Sequence, residues 1–224
     1  MGKSITAMVP VRAGSQRVSN KNTRPFHNTS LLKLKLEMLK FLEGINEIVV
    51  STDCEQAAEI AEKSGVNVQW RNEYFTSSTI TNDLHWQHIA ETTPGDIVFL
   101  AQVTSPLLRV RTMQNALNEF ISFEREDSLN SVSVERKFLW ENNTPINYDA
   151  NTTPKSQDLP NIFSLNFAIT IIDREVMKKR KNVVGYTPRF FHIDKVEALD
   201  IDDNVDFKLA ELMFQELGTK WMVE

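Results

Sequence analysis

From residue 5 to residue 123, short strand-like runs alternate with stretches of helical spacing, and that alternation constrains the fold more than any other property of the chain. Residues 5–11, 47–51, 66–70 and 96–101 read as strands, each bounded by polar or glycine-containing turns and too short for a helix. Residues 30–42, 55–63, 79–90 and 112–123 read as helices. In the first of these Leu31, Leu34, Met38 and Phe41 repeat at helical spacing, Ser30 is the cap candidate and Gly44 the stop. Strands that are apolar throughout must be covered on both faces, and helices between them supply parallel crossovers. The expected fold is therefore α/β, a mostly parallel sheet flanked by helices.

The rhythm changes after a further strand at 128–134. Residues 137–161 are rich in Asn, Thr, Pro and aromatic residues and lack helical periodicity. An irregular stretch of that length is usually functional or an oligomerisation arm. A dense strand at 163–172, a short helix at 174–179, a strand at 190–196 and a helix at 205–217 complete the chain. The reading is one domain over 1–224, with an inserted lobe at 137–172.

A net charge of −5 argues against a general nucleic-acid binder, so basic clusters are local features. The one cysteine, Cys54, excludes an internal disulfide and a cysteine-rich zinc site and suits a reducing compartment. No apolar run approaches the roughly 20 residues that span a bilayer, and the polar start has no signal-peptide layout. A cytoplasmic protein with no membrane partner is expected.

In sheets of this kind ligands gather beyond the carboxyl ends of the strands. Four polar clusters fall there. The first strand empties into a loop carrying Arg12, Gly14, Ser15, Arg17, Lys21 and Asn22, with Arg24 just beyond. Small residues let backbone N–H groups approach an anion and the cations neutralise it, which suits a polyphosphate; a solvated basic loop is the alternative. The spacing is neither the Walker pattern nor the three-glycine dinucleotide pattern. Ser51-Thr52-Asp53 and Gln102-Val103-Thr104-Ser105 end two further strands. In the last cluster, Asp200 and Asp202 stand two residues apart and face one side of an extended segment, where they can share a divalent cation. A solvated turn ahead of a helix has the same sequence. Mg²⁺ is commonly held by one or two carboxylates plus substrate phosphates, and the loop and the pair together supply both halves.

VPVRAGSQRVSNKN, VVSTD, LAQVTSPLLR and ALDIDDNVDFKLAE together resemble the CMP-sialic acid synthetase (acylneuraminate cytidylyltransferase) family, with CMP-Kdo synthetases as more distant relatives. The likeness runs in order from residue 5 to 217 and is weakest over 137–160. It implies an α/β nucleotide-binding sheet with a dimerisation lobe, a homodimer, and Mg²⁺-assisted joining of CTP to a sugar acid. By the resemblance, Arg12, Ser15 and Lys21 match the triphosphate loop, Asn22 a position near the ribose, Arg71 an arginine at the cytosine, and Asn82 lies beside it. Gln102 matches a glutamine by the sugar acid, Asn166 an asparagine of the lobe, and Asp200 and Asp202 the metal-binding aspartates. The catalytic set this implies is Arg12, Lys21, Asp200 and Asp202, with Gly14 and Arg17 completing the nucleotide loop.

Departures from the family pattern bear on the acceptor. Gln16 and Val103 replace a lysine and a proline, Ser164 an arginine, and Phe167 the glycine after Asn166. With the arginine gone, Lys155 is the cation expected at the acceptor carboxylate, and N-acetylneuraminate is expected to be a secondary substrate beside a deoxygenated or differently acylated nonulosonate. Kdo or another anionic acceptor, and a nucleotide-binding regulator without turnover, are the alternatives. His85 and His88 read as surface or lobe-contact residues, Asp53 as a cap for the helix at Glu55 or a catalytic group, Cys54 as a small core filler, and Phe138 and Trp140 as lobe packing.

Overall fold

The computed structural model describes residues 2–14, 17–77 and 79–223. Seven strands form one sheet in the order β3-β2-β1-β4-β8-β5-β9. They are β1 (Ile5–Val11), β2 (Glu47–Thr52), β3 (Asn67–Trp70), β4 (Ile97–Leu100), β5 (Ser128–Glu135), β8 (Ile162–Asp173) and β9 (Pro188–His192). Only β8 runs against the rest, pairing antiparallel with β4 on one side and β5 on the other. The sheet is thus mostly parallel, as the alternation of elements predicts.

Helices cover both faces. α1 (Leu31–Leu39), α2 (Glu55–Lys63), α4 (Val110–Ile121) and α6 (Asn204–Val223) pack over Ile5, Ala7, Val9 and Val11 of β1. α3 (Asn82–Thr92) and α5 (Arg174–Arg180) cover Met8, Val98, Leu100 and Ile172 on the other face. Successive side chains of a strand point to opposite faces, so a strand buried on both sides has no polar alternation.

Several boundaries differ from the expectation for local reasons. α1 ends at Leu39, and its buried face is Leu31, Leu32, Lys35, Leu36, Met38 and Leu39; Phe41 lies beyond the helix and is 63% exposed. α3 begins at Asn82 rather than at residue 79. β9 leaves the sheet at His192 because Asp194 turns the chain, its carboxylate accepting from the N–H groups of Val196 and Glu197. Gly218, at φ 71°, breaks α6 one residue after the predicted end. Residues 137–161 hold a two-residue hairpin, β6 (Trp140–Glu141) with β7 (Thr144–Pro145), and two short 3₁₀ turns. Phe138 and Trp140 both pack edge-on against Tyr148, as the lobe-packing reading expects.

Strand order fixes where a ligand can sit. The chain passes from β1 through β2 to β3 on one side, then crosses to β4 on the other side of β1. The loops after β1 and β4 therefore diverge and leave a crevice at the carboxyl edge. No helix among the described residues is long and apolar enough to cross a membrane.

Candidate active site

The crevice is a cleft of about 570 Å³. The loop after β1 supplies one wall with Arg12, Arg17, Lys21 and Asn22, and the loop after β4 supplies a second with Gln102, Val103 and Thr104; Arg71, Asn82, His85 and Asp202 also line it. Eight predicted site residues thus meet in one place although they span 190 positions of sequence (Arg12 to Asp202).

The phosphate-loop side is built from backbone geometry. Gly14 takes φ 68°, the left-handed conformation that glycine adopts without a Cβ clash. Asp53 accepts from the N–H of Ala13 at 2.7 Å, which ties this loop to the end of β2. Asp53 is therefore not the helix cap it was expected to be: Cys54 occupies that position and makes no side-chain cap bond. Cys54 itself is half-buried at the edge of the core. Ser15 lies outside the described residues. Arg24 stacks its guanidinium 4.6 Å from the centre of the Phe207 ring, away from the cleft lining.

Lys21 is the hinge between the cationic wall and the carboxylates. Its ammonium donates to the Ile201 carbonyl, between the two aspartates in sequence. Partial burial lowers its pKa, while Asp200 and Asp202 oppose that shift. Asp200 is raised, chiefly by desolvation, against a hydrogen bond from the Thr104 hydroxyl and with a further push from the Asp202 charge. Asp202 pairs with Arg17 at 2.7 Å. The start of α6 holds this segment: Asp206 accepts from the N–H groups of Asp202 and Asp203, and Asp203 accepts from those of Val205 and Asp206. Such reciprocal capping fixes the backbone that carries the pair.

Arg71 is 6% exposed, and its Nη2 donates to the Val11 and Ser51 carbonyls, both at 3.0 Å. Burial lowers its pKa to about 10, so it stays charged at neutral pH. Among the described residues its Nε and the Oδ1 of Asn22 are buried without a partner. A donor and an acceptor left bare in one cleft are groups that a polar ligand can satisfy. His85 also lines the cleft, which corrects its reading as a surface or lobe-contact residue. Burial first, then the Arg71 charge, lowers it to about 4, so the ring is neutral at pH 7 and a weak base. His88 instead stacks flat on Phe75, ring centres 3.7 Å apart.

Besides Gly14, three predicted residues among those described are not brought into the cleft lining. Asp200 is held by the Thr104 hydroxyl outside the lining. Asn166, in β8, accepts from the Ser131 hydroxyl and from the N–H of Ala168. Lys155 is exposed, at the start of a 3₁₀ turn in the 137–161 segment. Phe167, where the resemblance implies glycine, keeps a left-handed φ of 54° and is 41% exposed. Non-glycine residues reach that conformation at a cost of roughly 1–2 kcal/mol.

Sequence reasoning missed Arg109 and Glu197. Glu197, 2% exposed, accepts from the Arg109 backbone N–H and from its guanidinium, both at 2.9 Å. Arg109 also lies over the Trp221 ring, whose Nε1 donates to the Leu107 carbonyl. Together with the Ile201 N–H bond to the Thr104 carbonyl, this fastens the Asp200–Asp202 segment to the loop after β4. A buried glutamate 88 positions from its arginine leaves no local signal.

The sequence model described as Cytidylyltransferase matches residues 6–207. The chain belongs to the cytidylyltransferase family. Among curated relatives it is 28% identical over 225 residues to the CMP-N,N'-diacetyllegionaminic acid synthase of Legionella pneumophila, covering 94% of this chain and 96% of the relative. It is 22% identical to post-translational flagellin modification protein B of Campylobacter coli, covering 95% of each. Against the N-acylneuraminate cytidylyltransferase of Escherichia coli the identity is 26%; 94% of this chain aligns, but only 52% of that protein. The structure of a CMP:2-keto-3-deoxy-manno-octonic acid synthetase complexed with CTP superposes with a TM-score of 0.70 at 14% identity, covering 96% of this chain and 100% of that one. At that identity the likeness speaks for the fold alone.

Proposed function

We propose that this cytidylyltransferase joins CTP to a nonulosonic acid of the sialate type, giving a CMP-sugar and pyrophosphate. The observation that carries the reading is the meeting of Arg12, Arg17 and Lys21 with Asp202 in one cleft at the β1/β4 crevice. Those cations suit a triphosphate, and two of the three curated relatives named above carry diacetyllegionaminic acid or acylneuraminate in their names.

The chemistry asked of the protein is positioning and charge neutralisation. The anomeric hydroxyl oxygen of the acceptor forms a bond to the α-phosphorus of CTP. The bond from that phosphorus to the bridging oxygen breaks, pyrophosphate leaves, and the hydroxyl proton passes to solvent. Arg12, Arg17 and Lys21 would take the β- and γ-phosphates, and Asn22 Oδ1 and Arg71 the nucleoside. His85, lowered to about 4, is poorly matched to act as a base at neutral pH.

Mg²⁺ fits the donor set. Asp200 and Asp202 crowd one spot closely enough for the charge of one to raise the pKa of the other. Among the described residues no group of three or more His, Cys, Asp and Glu could hold a metal alone. Two carboxylates completed by phosphate oxygens are a usual Mg²⁺ arrangement. Bound there, the ion supplies neutralisation of the charge on the phosphates.

Ser164 and Phe167 support an acceptor other than N-acetylneuraminate, because they flank Asn166 in β8 on either side. Lys155 would supply the point charge for the acceptor carboxylate, reaching a cleft other than the one described. Pyrophosphate release with CTP, ATP and GTP against a panel of sugar acids tests the reading. CTP is expected to exceed either purine nucleotide at least tenfold, and a deoxygenated or differently acylated nonulosonate to exceed N-acetylneuraminate and Kdo. Equal turnover with ATP, or no turnover with any acid, would sink it.

A homodimer through the lobe completes the proposal. Phe163, Leu165 and Phe167 alternate along β8 at 44%, 36% and 41% exposed. A second copy on that strand would cover them and bring its Lys155 towards this cleft, and two-fold pairs are the commonest closed assembly. Light scattering at micromolar concentration is expected to give about twice the 25.7 kDa chain mass; a stable monomer contradicts this.

A further inference from the structure

Lys35 is 1% exposed, in the middle of the buried face of α1. Its ammonium donates to the Ser105 carbonyl at 3.1 Å. Burial lowers its pKa to about 7, and among the described residues no carboxylate pairs with it. The neighbouring buried positions of α1 are Leu31, Leu32, Leu36, Met38 and Leu39, and a methionine would fill the lysine's space without desolvating an amine. Burying a lysine in that setting is unfavourable for the fold, which directs attention to what the lysine holds.

Ser105 belongs to the loop after β4 that carries Gln102, Val103 and Thr104 into the cleft. In its first turn α1 is keyed to the cationic wall, for the Leu32 N–H donates to the Asn22 carbonyl at 3.0 Å. One short helix therefore touches both walls of the cleft, through Asn22 and through Lys35. Other holds on the loop, from Ile201, Trp221 and Glu197, come from residues late in the sequence.

We propose that Lys35 is a positioning residue that ties the loop bearing Gln102 and Thr104 to α1, and so sets the spacing between the acceptor wall and the nucleotide wall. Either protonation state has an N–H to donate, so the hold does not depend on the charge. The inference rests on the cytidylyltransferase reading of the cleft, but one of its readouts does not.

Lys35→Met and Lys35→Gln decide it. The methionine variant is expected to fold with a Tm at or above wild type, while backbone amides in 102–109 exchange about tenfold faster in the ligand-free protein. Its kcat/KM for pyrophosphate release is expected to fall about tenfold, since a small misplacement of a positioning wall is costly. Lys35→Gln, which keeps an N–H donor, should recover part of both losses. Exchange and kcat/KM within twofold of wild type would overturn the proposal, as would faster exchange with unchanged kinetics. Failure of both variants to fold would overturn it too, making Lys35 a residue of the core. Should the wild-type protein release no pyrophosphate, the proposed function falls while the exchange comparison still judges the tether.

Discussion

Asp202→Asn is expected to lower the rate of pyrophosphate release by about 10²–10³-fold, the scale seen when one charge-stabilising group is removed from an active site. Asparagine keeps the shape and the backbone, and the N–H of Asp202 would still donate to Asp206. What it loses is the charge that faces Lys21 and pairs with Arg17. That pair is open to solvent on both sides, so its contribution to stability is small, on the order of 0–1 kcal/mol. Rate and stability should separate: turnover collapses while Tm stays within a degree or two. Steady-state kinetics in excess Mg²⁺, beside a thermal melt, tests this. Full activity in the variant would reduce the pair to residues that precede a helix.

Arg109→Met is expected to have the largest effect on stability. It leaves the Glu197 carboxylate buried with its guanidinium partner removed, and orphaning one member of a buried pair typically costs about 3–5 kcal/mol. Arg109 is about a third exposed (31%), so water can partly replace it, and roughly 2–4 kcal/mol is the better expectation. For a chain of this size that corresponds to a Tm lower by about 5–15 °C. Replacing Arg109 and Glu197 together by methionine should restore much of the loss, because no buried charge then remains. Denaturant melts of the two single variants and the double variant give the coupling directly. A single variant within about 1 kcal/mol of wild type would show that water serves Glu197 as well as Arg109 does.

Much of the site was legible because its residues follow strands. Arg12, Arg71 and Gln102 stand one or two positions past the ends of β1, β3 and β4. In a parallel sheet those ends share one edge, so locating the strands located the cluster. The spacing of Asp200 and Asp202 ahead of a helix start pointed to this edge, where Asp202 lines the cleft and Asp200 does not. The same reasoning placed Phe41 on the buried face of α1 and left Lys35 out. Helical spacing marks which residues share a face, but the helix stops at Leu39, and its neighbours decide which face is covered.

By itself, then, the sequence determined the layered fold, the edge at which ligands gather and the charge pattern of the cleft. These follow from periodicity within a few residues and from the geometry of strand ends. Tertiary structure alone decided the rest: that Asp53 holds Ala13 rather than capping a helix, that His85 enters the cleft, that Glu197 is buried against Arg109, and that Lys35 lies under the Gln102 loop. Each of these but His85's placement is a named bond between residues 40 to 88 positions apart. No local pattern encodes such bonds, because a side chain's partner, and with it the sign of its energy, is set only when distant segments pack and water leaves.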